Sequence, residues 1–203
     1  MITTDSLDYH VLANAVKQTA HLDGLICEIG TRAGGSLKCI IDASLNLPNM
    51  RPIVSVDPYG WLDYAEGEKL VKHDYTNAMR DTCLKDIFGY LSSFAAPPNV
   101  VFFILEDTEF FSHFADSVPV YANGVKHVHS KYSLAFLDGP HSVEAVKREI
   151  DFFHPRMQPE GVIVCDDIGM YDHDSVEQHL FGLGFALIER TERKASYILT
   201  ALL

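Results

Sequence analysis

Five short apolar runs in this chain each end at or beside a carboxylate: Glu28 within LICEI, Asp57 after IVSV, Glu106 and Asp107 after VVFFIL, Asp138 after LAFL, and Asp166 with Asp167 after GVIVC. A single acid after a strand is often no more than the N-cap of the next helix. Five in succession ask for more, because ligands of open α/β sheets bind just beyond the carboxyl ends of the strands. His141 follows Asp138 by three residues. An imidazole with an unperturbed pKa of about 6.5 suits proton acceptance at neutral pH, so His141 is the candidate general base. Its plainer role would be to cap a helix opening at Ser142. The turn after the first run, IGTRAGGS, holds Gly30, Gly34 and Gly35. Glycines there let backbone amides approach a ligand at a helix N-terminus. The spacing is not GxGxxG, which disfavours a pyrophosphate-bound dinucleotide and a nicotinamide-dependent oxidoreductase. Asp57 could bond both hydroxyls of a ribose, which supports a nucleoside cofactor. His127 and His129 form an H-x-H pair with no third ligand in a recognisable metal spacing.

These residues need a scaffold, and the patterning supplies one. Residues 4–20 carry Leu7, Val11, Leu12, Ala15 and Val16 at helical spacing, with Thr4, Asp5 and Ser6 as cap candidates. Strand-like runs then alternate with helical segments: strands at 25–29, 53–57, 100–107, 134–138 and 161–167, and helices at 36–44 and about 142–154. Between 58 and 98, Leu70, Tyr75, Met79, Cys83, Ile87 and Leu91 keep helical spacing. That stretch is long for one crossover and is expected to include a lid or substrate-facing insertion, with Trp61 and Tyr64 as its aromatics. FALIER and SYILTAL read as an antiparallel pair joined by a polar turn at residues 191–194. The expected fold is α/β: a Rossmann-like, doubly wound, mostly parallel sheet with a C-terminal antiparallel hairpin and helices on both faces.

With 203 residues, 47% hydrophobic and 22% charged, the chain suits one globular domain over residues 1–203. Its formal charge of −12 repels phosphate backbones and anionic bilayers, so neither nucleic acid nor membrane is expected as a partner. No apolar run is long enough to span a bilayer, and MITTDSLDYH has no basic stretch followed by an apolar one. Four cysteines without CxxC spacing complete a cytoplasmic reading with reduced thiols.

The pattern Glu28, Gly30, Gly34, Ser36 (E-x-G-x-x-x-G-x-S) resembles the first motif of class I S-adenosylmethionine-dependent methyltransferases. The likeness continues through VDPYG and is sharpest in LAFLDGPHSVEAVKREIDFFHPRMQPEGVIVCDDI, which is similar to the metal-dependent small-molecule O-methyltransferases acting on sugars and catechols. It covers roughly residues 24–170. The resemblance implies that Glu28 and the turn through Gly30, Thr31 and Gly34 hold the methionine part of S-adenosylmethionine, that Ser36 binds its carboxylate, and that Asp57 takes the ribose. Asp107 and Thr108 would flank the adenine. Asp138, Asp166 and Asp167 would bind a divalent cation. Pro140 departs from the pattern, since many relatives carry an acid or polar residue there.

Methyl transfer to oxygen needs a deprotonated hydroxyl held close to the methyl group. A divalent cation lowers the hydroxyl pKa and fixes geometry, and hard carboxylates suit Mg²⁺ better than zinc. Asp166 and Asp167 would face opposite sides of a continuing strand, so both reach one ion only if the strand has ended, which Ile168–Gly169 permits. The expected function is therefore a Mg²⁺-dependent O-methyltransferase with His141 and Asp138 as catalytic residues, acting on a small molecule with neighbouring hydroxyls. The alternative is a non-catalytic module that binds S-adenosylmethionine or a partner. His173 and Tyr171, just after the acid pair, would either border the acceptor or sit in a plain loop. A homo-oligomer is left open.

Overall fold

Why three of these runs form the centre of a sheet follows from their burial on both faces. β1 (Leu25–Ile29), β2 (Ile53–Val56) and β8 (Tyr132–Leu137) are buried at every position. Strands of that kind fit only a sheet covered by helices above and below. The computed structural model describes residue 2 and residues 6–66, 69–72 and 75–200, with backbone alone over 63–66 and 69–72. Among these, a seven-stranded sheet runs β10–β11–β9–β8–β1–β2–β5. β5 (Val100–Phe103), β2, β1, β8 and β9 (Met157–Cys165) are mutually parallel. β11 (Ala195–Leu199) lies antiparallel between β9 and β10 (Phe185–Arg190). The expected Rossmann-like sheet with an antiparallel C-terminal pair is what forms.

Alternation along each strand divides the core. Leu25, Cys27 and Ile29 of β1 point to one layer with Ala135 and Leu137 of β8, under α5 (Val143–Phe153) and α6 (His173–Gly182). Ile26, Leu134 and Phe136 point to the other, under α1 (Tyr9–Gln18), α2 (Gly35–Ser44) and α3 (Asn77–Leu91). Each fully buried Leu, Ile, Val or Phe contributes about 1.5–3 kcal/mol over leaving it exposed.

The sheet changes direction at β1, flanked by β2 on one side and β8 on the other, which makes their carboxyl ends the binding crevice. The hydrogen-bond ladder continues one residue past several strands. Gly30 N donates to Val56 O, Asp138 N to Ile29 O, Asp166 N to Leu137 O and Asp57 N to Phe103 O. The predicted acids therefore emerge at one level. At the switch, the two chain segments approach so closely that a Cβ on Gly30 would lie 1.9 Å from Asp138 O, and Gly30 has φ +88°. Only glycine fits.

Some boundaries differ from expectation. α1 starts at Tyr9 behind Asp8, which makes no side-chain cap; Thr4 and Asp5 lie outside the described residues, and Ser6 points into the crevice instead. β5 ends at Phe103, because α4 (Asp107–His113) opens with a capping box formed by Glu106 and Glu109. Leu70 belongs not to a helix but to a hairpin of β3 (Asp63–Glu66) and β4 (Lys69–Lys72), and the side chains of Leu70 and Tyr64 lie outside the described residues. The helix within 58–98 starts at Asn77, capped by Thr76, and packs Cys83, Ile87 and Leu91 on the sheet as an ordinary crossover. Trp61 is 63% exposed. A second hairpin, β6 (Val118–Ala122) with β7 (Val125–His129), stands apart from the main sheet.

Candidate active site

The crevice is a cavity of about 460 Å³ lined by the glycine turn on one side and by Asp138, His141 and the Asp166–Asp167 pair on the other. That volume suits a nucleoside-sized ligand plus a small partner.

On the glycine side, Asp57 is the organiser. Its Oδ2 accepts from the backbone amides of Thr31 and Arg32 at 2.9 and 2.8 Å, and Oδ1 accepts from Tyr59 N at 2.9 Å. Asp57 thus anchors the turn that would wrap a cofactor. Burial pushes its carboxyl above the usual range, opposed by those three amides. Behind the turn, Glu28 is fully buried, accepts from Ser55 Oγ at 3.0 Å, and leaves Oε1 without a hydrogen-bond partner. Burial pushes Glu28 up to about 8, with the Ser36 and Ser55 hydroxyls holding it down in part. An orphaned, buried carboxyl oxygen is an acceptor that a ligand ammonium would satisfy. Thr31 bonds Ser55 through their hydroxyls. Farther along, Asp107 accepts from Arg148 at 3.0 Å, and Thr108 lines the cavity beside it.

On the other side, β9 ends at Cys165, and Asp167 turns with φ +46°, its amide bonded to Asp166 Oδ1 at 2.8 Å. This left-handed step lets both acids reach the cavity, where a continuing strand would have parted them. They do not share a task. Asp166, 1% exposed, pairs with Lys194 Nζ at 2.7 Å, and Lys194 is 0% exposed. Ser6 Oγ donates to Asp166 Oδ2 at 3.2 Å and also meets the Lys194 ammonium. Asp167 Oδ1 accepts from Arg193 Nε at 2.8 Å, with a terminal nitrogen of the same guanidinium on that oxygen.

His141 Nε2 lies 3.6 Å from Asp138 Oδ1 and 3.9 Å from Asp167 Oδ2, ion-pair distances too long for hydrogen bonds. The nitrogen is buried and has no hydrogen-bond partner. Helix α5 is capped by Ser142, whose hydroxyl accepts from Ala145 N at 3.2 Å, so His141 has no capping role. Burial disfavours its imidazolium, but Asp138, Asp167 and Asp166 outweigh that and raise its pKa. Burial also pushes Asp138 up, to about 7, against the pull of His141. Ligand atoms of Asp138, His141 and Asp167 all lie within 4.8 Å of one another.

Among the described residues, His141 is the histidine that lines the cavity. His127 and His129 sit on the β6–β7 hairpin, their rings 6.4 Å apart. His173 is buried against Tyr197, with Nε2 2.7 Å from its hydroxyl. Tyr171 stacks parallel to His141 at 6.4 Å between centroids.

Three participants escaped the sequence reading. Lys194 and Arg193 looked like turn residues; the clue was that the basic pair directly precedes the apolar run ASYIL. Glu149 is fully buried beneath Gly139 with both oxygens unpartnered, and burial raises its pKa well above normal. Its spacing from Val146 and Phe153 places it on the apolar face of α5.

A methyltransferase domain family matches residues 27–168. No curated protein matches the sequence. Among solved structures, the O-methyltransferase NovP superposes with a TM-score of 0.62 at 14% identity, covering 95% of this chain and 79% of that one. A putative caffeoyl-CoA O-methyltransferase from Staphylococcus aureus gives 0.59 at 13% identity, with 97% and 85% covered. TomG from Streptomyces achromogenes, an O-methyltransferase solved with S-adenosylmethionine, gives 0.60 at 12% identity, with 98% and 82% covered. At such identities the likeness concerns the fold.

Proposed function

For a chain that belongs to the methyltransferase domain family, we propose transfer of a methyl group from S-adenosylmethionine to a hydroxyl oxygen of a small molecule. The observation that carries the reading is His141 Nε2: buried, without a hydrogen-bond partner, and facing two carboxylates in the cavity it shares with the glycine turn.

When bound, S-adenosylmethionine supplies a methyl on a sulfonium, whose carbon–sulfur bond breaks as the acceptor's carbon–oxygen bond forms. The turn at Gly30, Thr31 and Gly34, tied down by Asp57, positions the methionine end, with Ser36 on the cavity wall for its carboxylate and the orphaned, fully buried Glu28 oxygen behind that wall as the acceptor for its ammonium. Asp57 retains lone-pair capacity for a ribose hydroxyl beyond its three amide contacts. Asp107 and Thr108 flank the far end, where the adenine would lie. His141 takes the hydroxyl proton at Nε2, and Asp138 stabilises the imidazolium that results. A neighbouring hydroxyl on the acceptor would find Asp167 Oδ2. Positioning of this kind can supply a large part of the acceleration.

A divalent cation shared by Asp138, Asp166 and Asp167 does not fit the site as folded. Asp166 is committed to a buried lysine and Asp167 to an arginine guanidinium.

Calorimetric titration with S-adenosylmethionine, with NAD as control, tests the cofactor; micromolar binding of the former alone is expected. Screening small diols for methyl acceptance then tests the chemistry. Binding without turnover on any hydroxylated acceptor would favour a non-catalytic module.

A further inference from the structure

The cation pairs at the acid dipeptide arise from the sheet register. β11 runs antiparallel to β9 with Ala195 opposite Cys165 and Ser196 opposite Val164. Continued outward by one and two residues, that register sets Lys194 against Asp166 and Arg193 against Asp167, the two ion pairs observed. A basic dipeptide on one strand end therefore faces an acidic dipeptide on the next.

We infer that Lys194 and Arg193 are built-in counter-cations of the acceptor half, standing where the family resemblance would put a metal, so that the native chain holds no divalent ion among Asp138, Asp166 and Asp167. The term "acceptor half" rests on the methyltransferase reading; the exclusion of a metal rests on the ion pairs alone.

The bonding leaves Asp166 little to offer. Oδ1 already accepts from Lys194 Nζ at 2.7 Å and from the Asp167 amide at 2.8 Å, and Oδ2 accepts from Ser6 at 3.2 Å. Among the described residues, Lys194 meets Asp166 and Ser6 and also faces the rings of Tyr9 and Phe136, 5.1 and 5.8 Å away. Turning Asp166 toward a metal would strand an ammonium in the core, a state proteins avoid. At Asp167, Arg193 holds Oδ1 with two nitrogens of one guanidinium, a geometry that favours arginine over a simple point charge. Three carboxylates against two fixed cations leave one negative charge before His141 is counted. What remains for an ion is Asp138, one oxygen of Asp167 and an imidazole nitrogen, a set poorly matched to Mg²⁺, which demands near-octahedral oxygen ligation.

The two cations differ in a way that makes the inference testable. Lys194 is 0% exposed, whereas Arg193 is 41% exposed and can be removed with little harm to the fold. The free-Mn²⁺ electron paramagnetic resonance signal is titrated with the native full-length protein, with Arg193→Ala and with Arg193→Lys, each checked for a native melting profile. The native protein and Arg193→Lys are expected to leave the Mn²⁺ signal undiminished, and Arg193→Ala to take up one equivalent at Asp138, His141 and Asp167. Uptake of one Mn²⁺, or of one Zn²⁺ in a competition titration, by the native protein would overturn the inference. Equal indifference of folded Arg193→Ala would overturn it as well, since the cation would not be what stands in the metal's place. Titration of the native protein with S-adenosylmethionine in chelator separates the two claims. Failure to bind defeats the methyltransferase reading and leaves the Mn²⁺ result interpretable.

Discussion

Replacing Lys194 by Met removes a charge with 0% exposure whose partner, Asp166, is 1% exposed. Methionine fills a similar volume, so the main loss is electrostatic: a carboxylate stays in the core with Ser6 and the Asp167 amide as its remaining donors. Breaking one side of a buried ion pair costs about 3–5 kcal/mol. For a chain of this size each kcal/mol lowers the melting temperature by about 2–4 °C, so a fall of about 6–20 °C is expected. Asp166→Asn should be comparably harmful, because it strands the ammonium. The double variant Lys194→Met/Asp166→Asn removes both charges and should cost less than either single change, so the coupling energy should exceed one single-variant loss of about 3–5 kcal/mol. Urea denaturation of the native protein, both single variants and the double variant gives the cycle directly. A single-variant loss below about 1 kcal/mol, the range of exposed ion pairs, would refute the claim that this pair is buried and obligatory.

Other expectations concern the two halves of the cavity. His141→Gln should lower methyl transfer by about 10²–10⁴-fold while leaving S-adenosylmethionine affinity nearly unchanged, read by single-turnover assay and calorimetry. Glu28, held near 8 by burial, binds its proton more tightly folded than unfolded. Stability of the ligand-free protein should therefore fall as pH rises from about 4.5 toward 8, and Glu28→Gln should flatten part of that slope in urea titrations across pH. By the same logic, an ammonium arriving at Glu28 at pH 7 should expel a proton, measurable as a buffer-dependent binding enthalpy. Gly30→Ala would force a Cβ to 1.9 Å from Asp138 O at φ +88°, so loss of both thermal stability and S-adenosylmethionine binding is expected.

The parallel strands were legible because they are apolar runs that each end at or beside an acid, and α1, α2 and α5 because their apolar residues recur at helical spacing; α4 and α6 gave no comparable signal. The glycine turn was legible because Gly30 answers to a backbone approach that no other residue tolerates. What local pattern could not convey was partnership across the sheet. Asp166 and Lys194 are 28 residues apart and meet through the register of β9 and β11. Nothing in a window of ten residues distinguishes a buried lysine from a solvated one in a turn. The same holds for Ser6, which reads as a helix cap and serves instead as a third member of that pair's network. The stretch 58–98 misled for a different reason, because helical spacing that is real from Asn77 onward also catches Leu70 and Tyr75 by coincidence.

The position of β11 inside the sheet bears on how the protein comes into being. It is the latest strand in chain order among the described residues, yet it is wedged between β9 and β10. During synthesis, Asp138, Asp166 and Asp167 leave the ribosome well before Arg193 and Lys194 do. Docking of β11 between β9 and β10 is what brings Lys194 and Arg193 to the acids, so two of the three carboxylates have their counter-cations only when that strand is in the sheet.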